Sequence, residues 1–109
     1  FDAFAKCDSL TTVSLPSSLR TIERGVFWQC HAIGRIEIPE NVKEIGQYNF
    51  LGCSSLREIR NMSVVPQNAI DIFDKKEAKG IILKVPSESV EAYRRSAGWN
   101  KCEIIPIEE

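Results

Sequence analysis

Residues 27–39 read Phe27-Trp28-Gln29-Cys30-His31-Ala32-Ile33-Gly34-Arg35-Ile36-Glu37-Ile38-Pro39, and their apolar template recurs along this 109-residue chain at a spacing of 23 residues. Phenylalanine, cysteine and two aliphatic positions share that period: Phe4, Phe27, Phe50 and Phe73; Cys7, Cys30 and Cys53; Leu10, Ile33 and Leu56; Val13, Ile36 and Ile59. A coil this short cannot bury its own apolar face, so neighbouring coils must stack into a shared core. The period therefore predicts a solenoid.

Within each coil, alternating apolar and polar residues predict one short, half-buried strand, as where Ile36 and Ile38 flank Glu37. Proline then ends the strand pairing at positions 16 and 39, because it has no amide hydrogen to donate. A second apolar pair follows, and Gly25 or Gly46 is expected to allow a tight turn into the next phenylalanine. A coil of this length leaves no room for a full helix.

The whole chain, 1–109, is predicted to be one repeat domain. Its units are expected at 4–26, 27–49 and 50–72, with a degenerate last coil at 73–86 and a cap at 87–109. The third unit loses the template at Asn61 and Met62, and residues 74–80 are predicted to form a charged loop. The chain opens on a repeat without a polar or helical cap. We therefore expect it to be the C-terminal part of a longer protein, with an uncapped N-terminal edge available for self-association.

The cap is predicted to contain a helix whose first residue is capped by Ser87 or Ser89 and which stops at Gly98. One face of this helix is expected to cover the open end of the core together with Trp99: Val90, Tyr93 and Ala97. Isoleucines at 104, 105 and 107 are expected to add a final strand.

Composition excludes several classes of function. Fourteen lysines and arginines against fifteen aspartates and glutamates give a net charge of −1, which offers no basic footprint for a nucleic acid. The apolar runs are too short to span a bilayer, so no transmembrane segment is predicted. No phosphate-binding glycine loop or metal-spaced His and Cys pair is present, and neither a cofactor nor an enzymatic activity is predicted.

The repeat and the C-terminal ending both resemble a known family. The pattern F-x-x-C-x-x-L-x-x-I-x-I-P-x-x-V-x-x-I-G, seen from Phe27 to Gly46, resembles the BspA-like (Treponema pallidum type) leucine-rich repeat. The ending from Leu83 to Trp99 is similar to the C-terminal end of such proteins from gut and oral bacteria. The resemblance implies a right-handed α/β repeat solenoid of about four coils. It also implies a secreted or cell-surface adhesion protein without catalytic residues.

The phased cysteines, Cys7, Cys30 and Cys53, are interpreted as buried thiols that fill space like small apolar side chains. A column of sulfurs lies in a line, whereas zinc requires four ligands arranged tetrahedrally around a point. Cys102 lies outside this column. His31 adjoins Cys30, but adjacent residues of an extended segment point to opposite sides, so His31 is interpreted as a solvated corner residue.

The outward strand positions are the candidate ligand-binding residues: Thr12, Ser14, Arg35, Glu37, Glu58 and Arg60. Stacking predicts that Arg35 lies beside Glu58 and that Glu37 lies beside Arg60. Such a face is either a self-satisfied surface network, worth a few tenths of a kcal/mol for each pair, or a binding surface for a polar partner. Trp28 is a candidate exposed aromatic contact, or else it is half covered by the neighbouring coil.

The sequence thus favours a non-catalytic binding module of a bacterial surface protein, with a host or neighbouring-cell protein or glycan as its partner. The alternative is a structural stalk that presents another, N-terminal domain.

Overall fold

The computed structural model describes residues 11–69, 71–73 and 78–107. In that part of the chain lie seven strands: β1 (Thr12–Ser14), β2 (Thr21–Ile22), β3 (Arg35–Ile38), β4 (Glu44–Ile45), β5 (Glu58–Asn61), β6 (Ile82–Val85) and β7 (Glu103–Pro106). A short helix, α1 (Val90–Arg94), lies between 3₁₀ turns at Ser87–Ser89 and Trp99–Lys101. One sheet has the order β1-β3-β5-β6-β7, and β2 pairs with β4 in a second sheet. Every pair is parallel, which confirms the predicted α/β repeat solenoid.

Strand register follows the sequence period. Val13 pairs with Ile36 and Ile36 with Ile59, and the column continues through Leu83 and Ile104. Ile36, Ile59, Leu83 and Ile104 are buried, while their sequence neighbours on the strands point outward. Strand side chains alternate between two faces, so one residue of slip would expose the entire aliphatic column. Leu83-Lys84-Val85, which repeats the pattern Ile36-Glu37-Ile38, lies on β6, and Pro86 follows the end of that strand.

The aromatic column is continuous along the described core. The ring of Phe27 stacks on that of Phe50, with centroids 6.3 Å apart, and Phe50 stacks on Phe73 at 5.8 Å. The indole of Trp99 meets Phe73 edge-on at 5.7 Å, and Tyr93 packs edge-on against Trp99. Trp99 therefore closes the core, as predicted. Phe4, Cys7 and Leu10 lie outside the described residues.

Two corners of the repeat use residues in the left-handed backbone region, where a Cβ is strained. Gly25, Tyr48 and Asp71 have φ of 70°, 68° and 63°, and they are spaced by one repeat. Gln29 and Gly52 form a second such pair, with φ of 55° and 80°. The corner geometry is thus a property of the repeat rather than of glycine.

The tight-turn role predicted for Gly46 is wrong. Gly46 is not among the residues with positive φ, and a Cβ built on it would lie 2.4 Å from the backbone nitrogen of Arg24. This glycine is required by the close approach of two coils instead.

The third coil contains a buried polar network where the template is lost. The amide of Asn61 donates to Oε1 of Gln67 at 2.8 Å, and Oδ1 of Asn61 accepts from the backbone of Ser63 at 3.2 Å. Gln67 in turn donates to the carbonyl oxygen of Val42 at 2.8 Å. Asn61, Ser63 and Gln67 are all buried. The departure from the repeat at Asn61 is therefore a specific structure, not a decayed coil.

The cap differs in detail from the prediction. Ser87 lies within the 3₁₀ turn, whose N-cap is Pro86. Ser89 is the N-cap of α1 but makes no capping hydrogen bond, because its hydroxyl donates to the carbonyl oxygen of Val64 at 2.6 Å instead. Tyr93 is fully buried and Val90 is half-buried, but Ala97 is exposed because α1 ends at Arg94. Ile104 and Ile105 lie on β7, whereas Ile107 follows the strand.

Gly98 has a different role from a helix stop. It is buried with φ of 93°, and a Cβ there would lie 2.2 Å from the carbonyl oxygen of Ala69. Its hydrogen side chain lets the cap pack directly on the backbone of the third coil.

Candidate ligand-binding face

The candidate site lies on the outward side of β1, β3 and β5, which we call the outer face. Two rows of residues run across these strands. Thr12, Arg35 and Glu58 form the first row, and Ser14, Glu37 and Arg60 form the second. Thr12, Ser14, Arg35 and Glu37 are exposed, while Glu58 and Arg60 are half-buried. The parallel ladder, not local sequence proximity, brings them together.

A shallow groove of about 310 Å³ crosses this face. Its lining comprises Thr12, Val13, Arg35, Ile36, Glu37, Glu58 and Arg60. Five of the six predicted residues therefore share one concave surface, and Ser14 lies outside it. None of the residues that line this groove is aromatic, so the groove offers no ring for stacking.

In the first row, the carboxylate of Glu58 forms two ion pairs. Nη2 of Arg35 lies 2.9 Å from Oε2 of Glu58, as predicted, and Nζ of Lys84 lies 3.3 Å from Oε1 of the same carboxylate. The hydrogen bond from Arg35 is the largest influence that lowers the pKa of Glu58, and Lys84 adds to it against the opposing effect of partial burial. Each oxygen of Glu58 is thus engaged by its own cation.

The second row has the predicted register, with Glu37 beside Arg60, but these two charges do not form an ion pair within the described residues. Nε of Arg60 is buried and has no hydrogen-bond acceptor among the described residues. An unsatisfied buried donor costs about 1–3 kcal/mol. In the described part of the chain, Arg60 is therefore the cation of this face that forms no ion pair.

Lys84 belongs to the outer face although the sequence analysis did not include it. It lies beside Arg60 on β6, and the match of Leu83 to Ile36 was the signal that could have placed it. The first row also continues to Ile82, which is 36% exposed. The face thus changes from charged to partly apolar toward the cap.

The remaining singled-out residues lie away from this groove. Trp28 is half-buried, which agrees with the covered alternative rather than with a fully exposed ring. His31 is exposed, as expected of a corner residue. Cys30 and Cys53 are buried thiols, and Cys53 donates to the carbonyl oxygen of Phe27 at 3.1 Å. Cys102 is also buried, and this burial raises the pKa of its thiol to about 12.

Two apolar side chains stand out on the surface near the cap. Val64 is 52% and Val65 is 68% exposed. Their backbone carbonyl oxygens accept hydrogen bonds from the hydroxyls of Ser89 and Ser63, respectively.

Over residues 11–69, 71–73 and 78–107, no group of three or more His, Cys, Asp or Glu is arranged to hold a metal ion. In the same part of the chain, no helix has the length and apolar character needed to cross a membrane.

Comparisons with known proteins agree with this architecture. A search of curated sequences finds no match. The crystal structure of the pneumococcal vaccine antigen PcpA is similar to this chain, with a TM-score of 0.62 and 20% sequence identity over 99% of the chain. The chain spans 33% of that protein's length, and at this identity the likeness is one of fold. The family model of the BspA type leucine rich repeat region matches residues 1–94 in 6 copies. The chain therefore belongs to the BspA-type leucine-rich repeat family.

Proposed function

We propose that this chain is a non-catalytic binding module of a secreted or cell-surface protein, and that its outer face contacts a protein or glycan of a host or a neighbouring cell. The observation that carries the proposal is the groove, because it gathers residues from three strands, with charges from two of them, on one accessible surface. Parallel coils hold these strands rigidly in register, and solenoids commonly use such surfaces to bind extended partners.

Two further features support this function. Family membership favours a protein of the cell surface, and the likeness to a vaccine antigen agrees with that location. The outer face also carries charges of both signs, which suits recognition of a polar partner better than attraction to a uniformly charged polymer. The proposal contains no catalytic step, because the groove residues present ion pairs rather than an activated nucleophile or a general base.

The test compares binding of the chain and two double variants to immobilised extracellular-matrix proteins and to a glycan array. Arg35→Ala/Arg60→Ala removes two cations from the groove. Arg20→Ala/Arg95→Ala removes the same charge from exposed positions elsewhere and serves as the matched control. We expect the groove variant to lose at least tenfold in affinity, while the control binds normally and both variants keep the circular dichroism spectrum and melting temperature of a folded chain.

Equal binding by the groove variant and the parent chain would reject the outer face as the contact surface. Absence of binding by the parent chain to either set of ligands would favour the stalk, in which the chain only carries another domain.

A further inference from the structure

Arg60 is the feature from which a more specific ligand chemistry follows. A guanidinium is always protonated, and its donors match the two oxygens of a carboxylate in a planar, bidentate geometry. Nε of Arg60 has no acceptor in the described residues although two carboxylates share its face. The reason for this mismatch lies in how those carboxylates are used.

Glu58 is unavailable because its two oxygens are committed. One oxygen lies 2.9 Å from Nη2 of Arg35 and the other 3.3 Å from Nζ of Lys84. Glu37, on the neighbouring strand, is exposed to solvent and forms no ion pair within the described residues. Within the described residues, Arg60 therefore lies in the groove without an ion pair, although Glu37 is its register neighbour.

The charges that line the groove also limit the ligand. The lining carries two cations, Arg35 and Arg60, and two carboxylates, Glu37 and Glu58, and Lys84 beside Glu58 brings the local charge to +1. One added carboxylate is matched by that charge, whereas a doubly charged phosphate would leave an excess of negative charge next to Glu37 and Glu58. This balance favours a carboxylate over a dianion.

We propose that Arg60 is a subsite for the carboxylate of an aspartate or glutamate side chain in an extended segment of the partner protein. This inference rests on the proposed function, since it assigns the ligand of the same groove. A polypeptide is favoured over a sugar because no aromatic ring lines the groove and its lining includes Thr12, Val13 and Ile36 on adjacent strands. In the complex, the partner's carboxylate pairs with the guanidinium of Arg60, which lines the groove and forms no ion pair within the described residues.

The experiment follows the side-chain Nε–H resonance of Arg60 in the ¹⁵N-labelled chain, assigned by its loss in Arg60→Lys. The probes are the peptide acetyl-Ser-Thr-Glu-Thr-Ser-amide, the same peptide with glutamine at its centre, and N-acetylneuraminic acid. We expect the glutamate peptide to shift the Arg60 resonance saturably. Its affinity from this titration should be at least tenfold higher than that of the glutamine peptide or the sugar acid.

The variants separate geometry from charge. Arg60→Lys keeps the positive charge but not the bidentate geometry of the guanidinium, so it should weaken binding of the glutamate peptide at least tenfold. Arg60→Ala should weaken that binding at least as much. Arg20→Lys, an exposed position outside the groove, should bind like the parent. Urea denaturation of every variant identifies any loss of binding that comes from unfolding. If a variant is unfolded, the Nε–H shift of Arg60 in the parent chain decides whether the glutamate peptide binds at this residue.

Three results would overturn the subsite: equal shifts with the glutamate and glutamine peptides, unweakened binding by Arg60→Lys, or tighter binding of the sugar acid than of the glutamate peptide. The last result would assign the groove to an acidic glycan. The proposed function would survive each of them as long as Arg35→Ala/Arg60→Ala still lost its matrix or glycan ligands. If that double variant kept its ligands, the proposed function itself would fail.

Discussion

The hydroxyl of Tyr93 donates a hydrogen bond to the carbonyl oxygen of Ser63, 2.7 Å away. Tyr93 belongs to α1 and Ser63 to the loop that follows β5, so this bond joins the cap to the third coil. Nε1 of Trp99 donates to the carbonyl oxygen of Gln67 at 2.9 Å, and the hydroxyl of Ser89 donates to the carbonyl oxygen of Val64. Three cap side chains thus satisfy the backbone of one loop, and the two regions are expected to unfold together.

Tyr93→Phe should lower the free energy of unfolding by about 1–2 kcal/mol, because the carbonyl of Ser63 stays buried and loses its donor. Urea denaturation followed by tryptophan fluorescence measures this loss. Tyr48→Phe, on an exposed side chain, is the control and should change little. A Tyr93→Phe variant as stable as the parent would show that the bond does not hold the cap.

Asn61→Leu restores an aliphatic residue at the position that Ile38 holds one coil earlier, yet it should destabilise the chain by about 2–3 kcal/mol. The substitution orphans Oε1 of Gln67 and the backbone N–H of Ser63. Pairing Asn61→Leu with Gln67→Leu should cost less than the sum of the two single changes, because the second removes a group that the first orphans. A stabilising Asn61→Leu would mean that the third coil is only a degraded repeat.

The periodic part of this fold could be predicted from sequence because one 23-residue template fixes strand, corner and register at once. The loop after Asn61 could not, because its stability depends on hydrogen bonds to Val42, Tyr93 and Trp99, which are distant in sequence. The capping function of Ser89 was mispredicted for a similar reason. A serine before a helix usually bonds the helix backbone, but here a carbonyl of another coil is the acceptor.

Asp71→Gly should raise the free energy of unfolding by about 0.5–1 kcal/mol, since it relieves the steric strain of a Cβ on a backbone with a φ of 63°. The side chain that is removed is exposed. The backbone carbonyl of residue 71 keeps its bond from the N–H of Tyr48. Differential scanning calorimetry should show a rise in melting temperature of a few degrees, at about 4 °C for each kcal/mol. Glu40→Gly, an exposed position not among the residues with positive φ, should lower the melting temperature instead.

Glu58 should titrate below the usual range of a glutamate, because the hydrogen bond from Arg35 lowers its pKa below 4.5. The stabilisation from this group is therefore present above pH 4.5 and is lost as the pH falls through the lowered value. Carboxyl chemical shifts from NMR measure the titration directly. Arg35→Ala should raise the midpoint toward 4.5, and an unmoved midpoint would show that the Arg35 ion pair does not form in solution.

Cys102 should make the chain sensitive to alkali. Burial raises the pKa of its thiol from 9.0 to about 12, and burial also raises the pKa of the Tyr93 hydroxyl. Both groups are neutral when folded, so stability is full below about pH 9 and falls as the pH rises toward 12. Urea denaturation between pH 8 and pH 11 should show a shallower decline for Cys102→Ala. Rapid labelling of Cys30, Cys53 or Cys102 by a thiol reagent at pH 8 would contradict their burial.

The candidate site was predictable to the extent that it depends on register. The spacing of 23 residues placed Arg35 beside Glu58, and the ion pair follows from it. Register also placed Glu37 beside Arg60, as predicted, but no ion pair joins them within the described residues, because adjacency on strands does not fix where long, flexible side chains end. Lys84 takes the second oxygen of Glu58, a three-residue arrangement that pairwise reasoning does not reach.

The left-handed corner residues have a consequence for how such a protein grows. Reversals of the chain fall at 25, 48 and 71 and again at 29 and 52, always one period apart. Duplication or loss of one entire 23-residue segment keeps every bend in phase. An insertion of a few residues instead displaces all later bends unless the connection between two strands accommodates it, and Ile59 and Leu83 pair across 24 positions rather than 23. Unequal recombination by whole units is therefore the least disruptive route to a longer or shorter array.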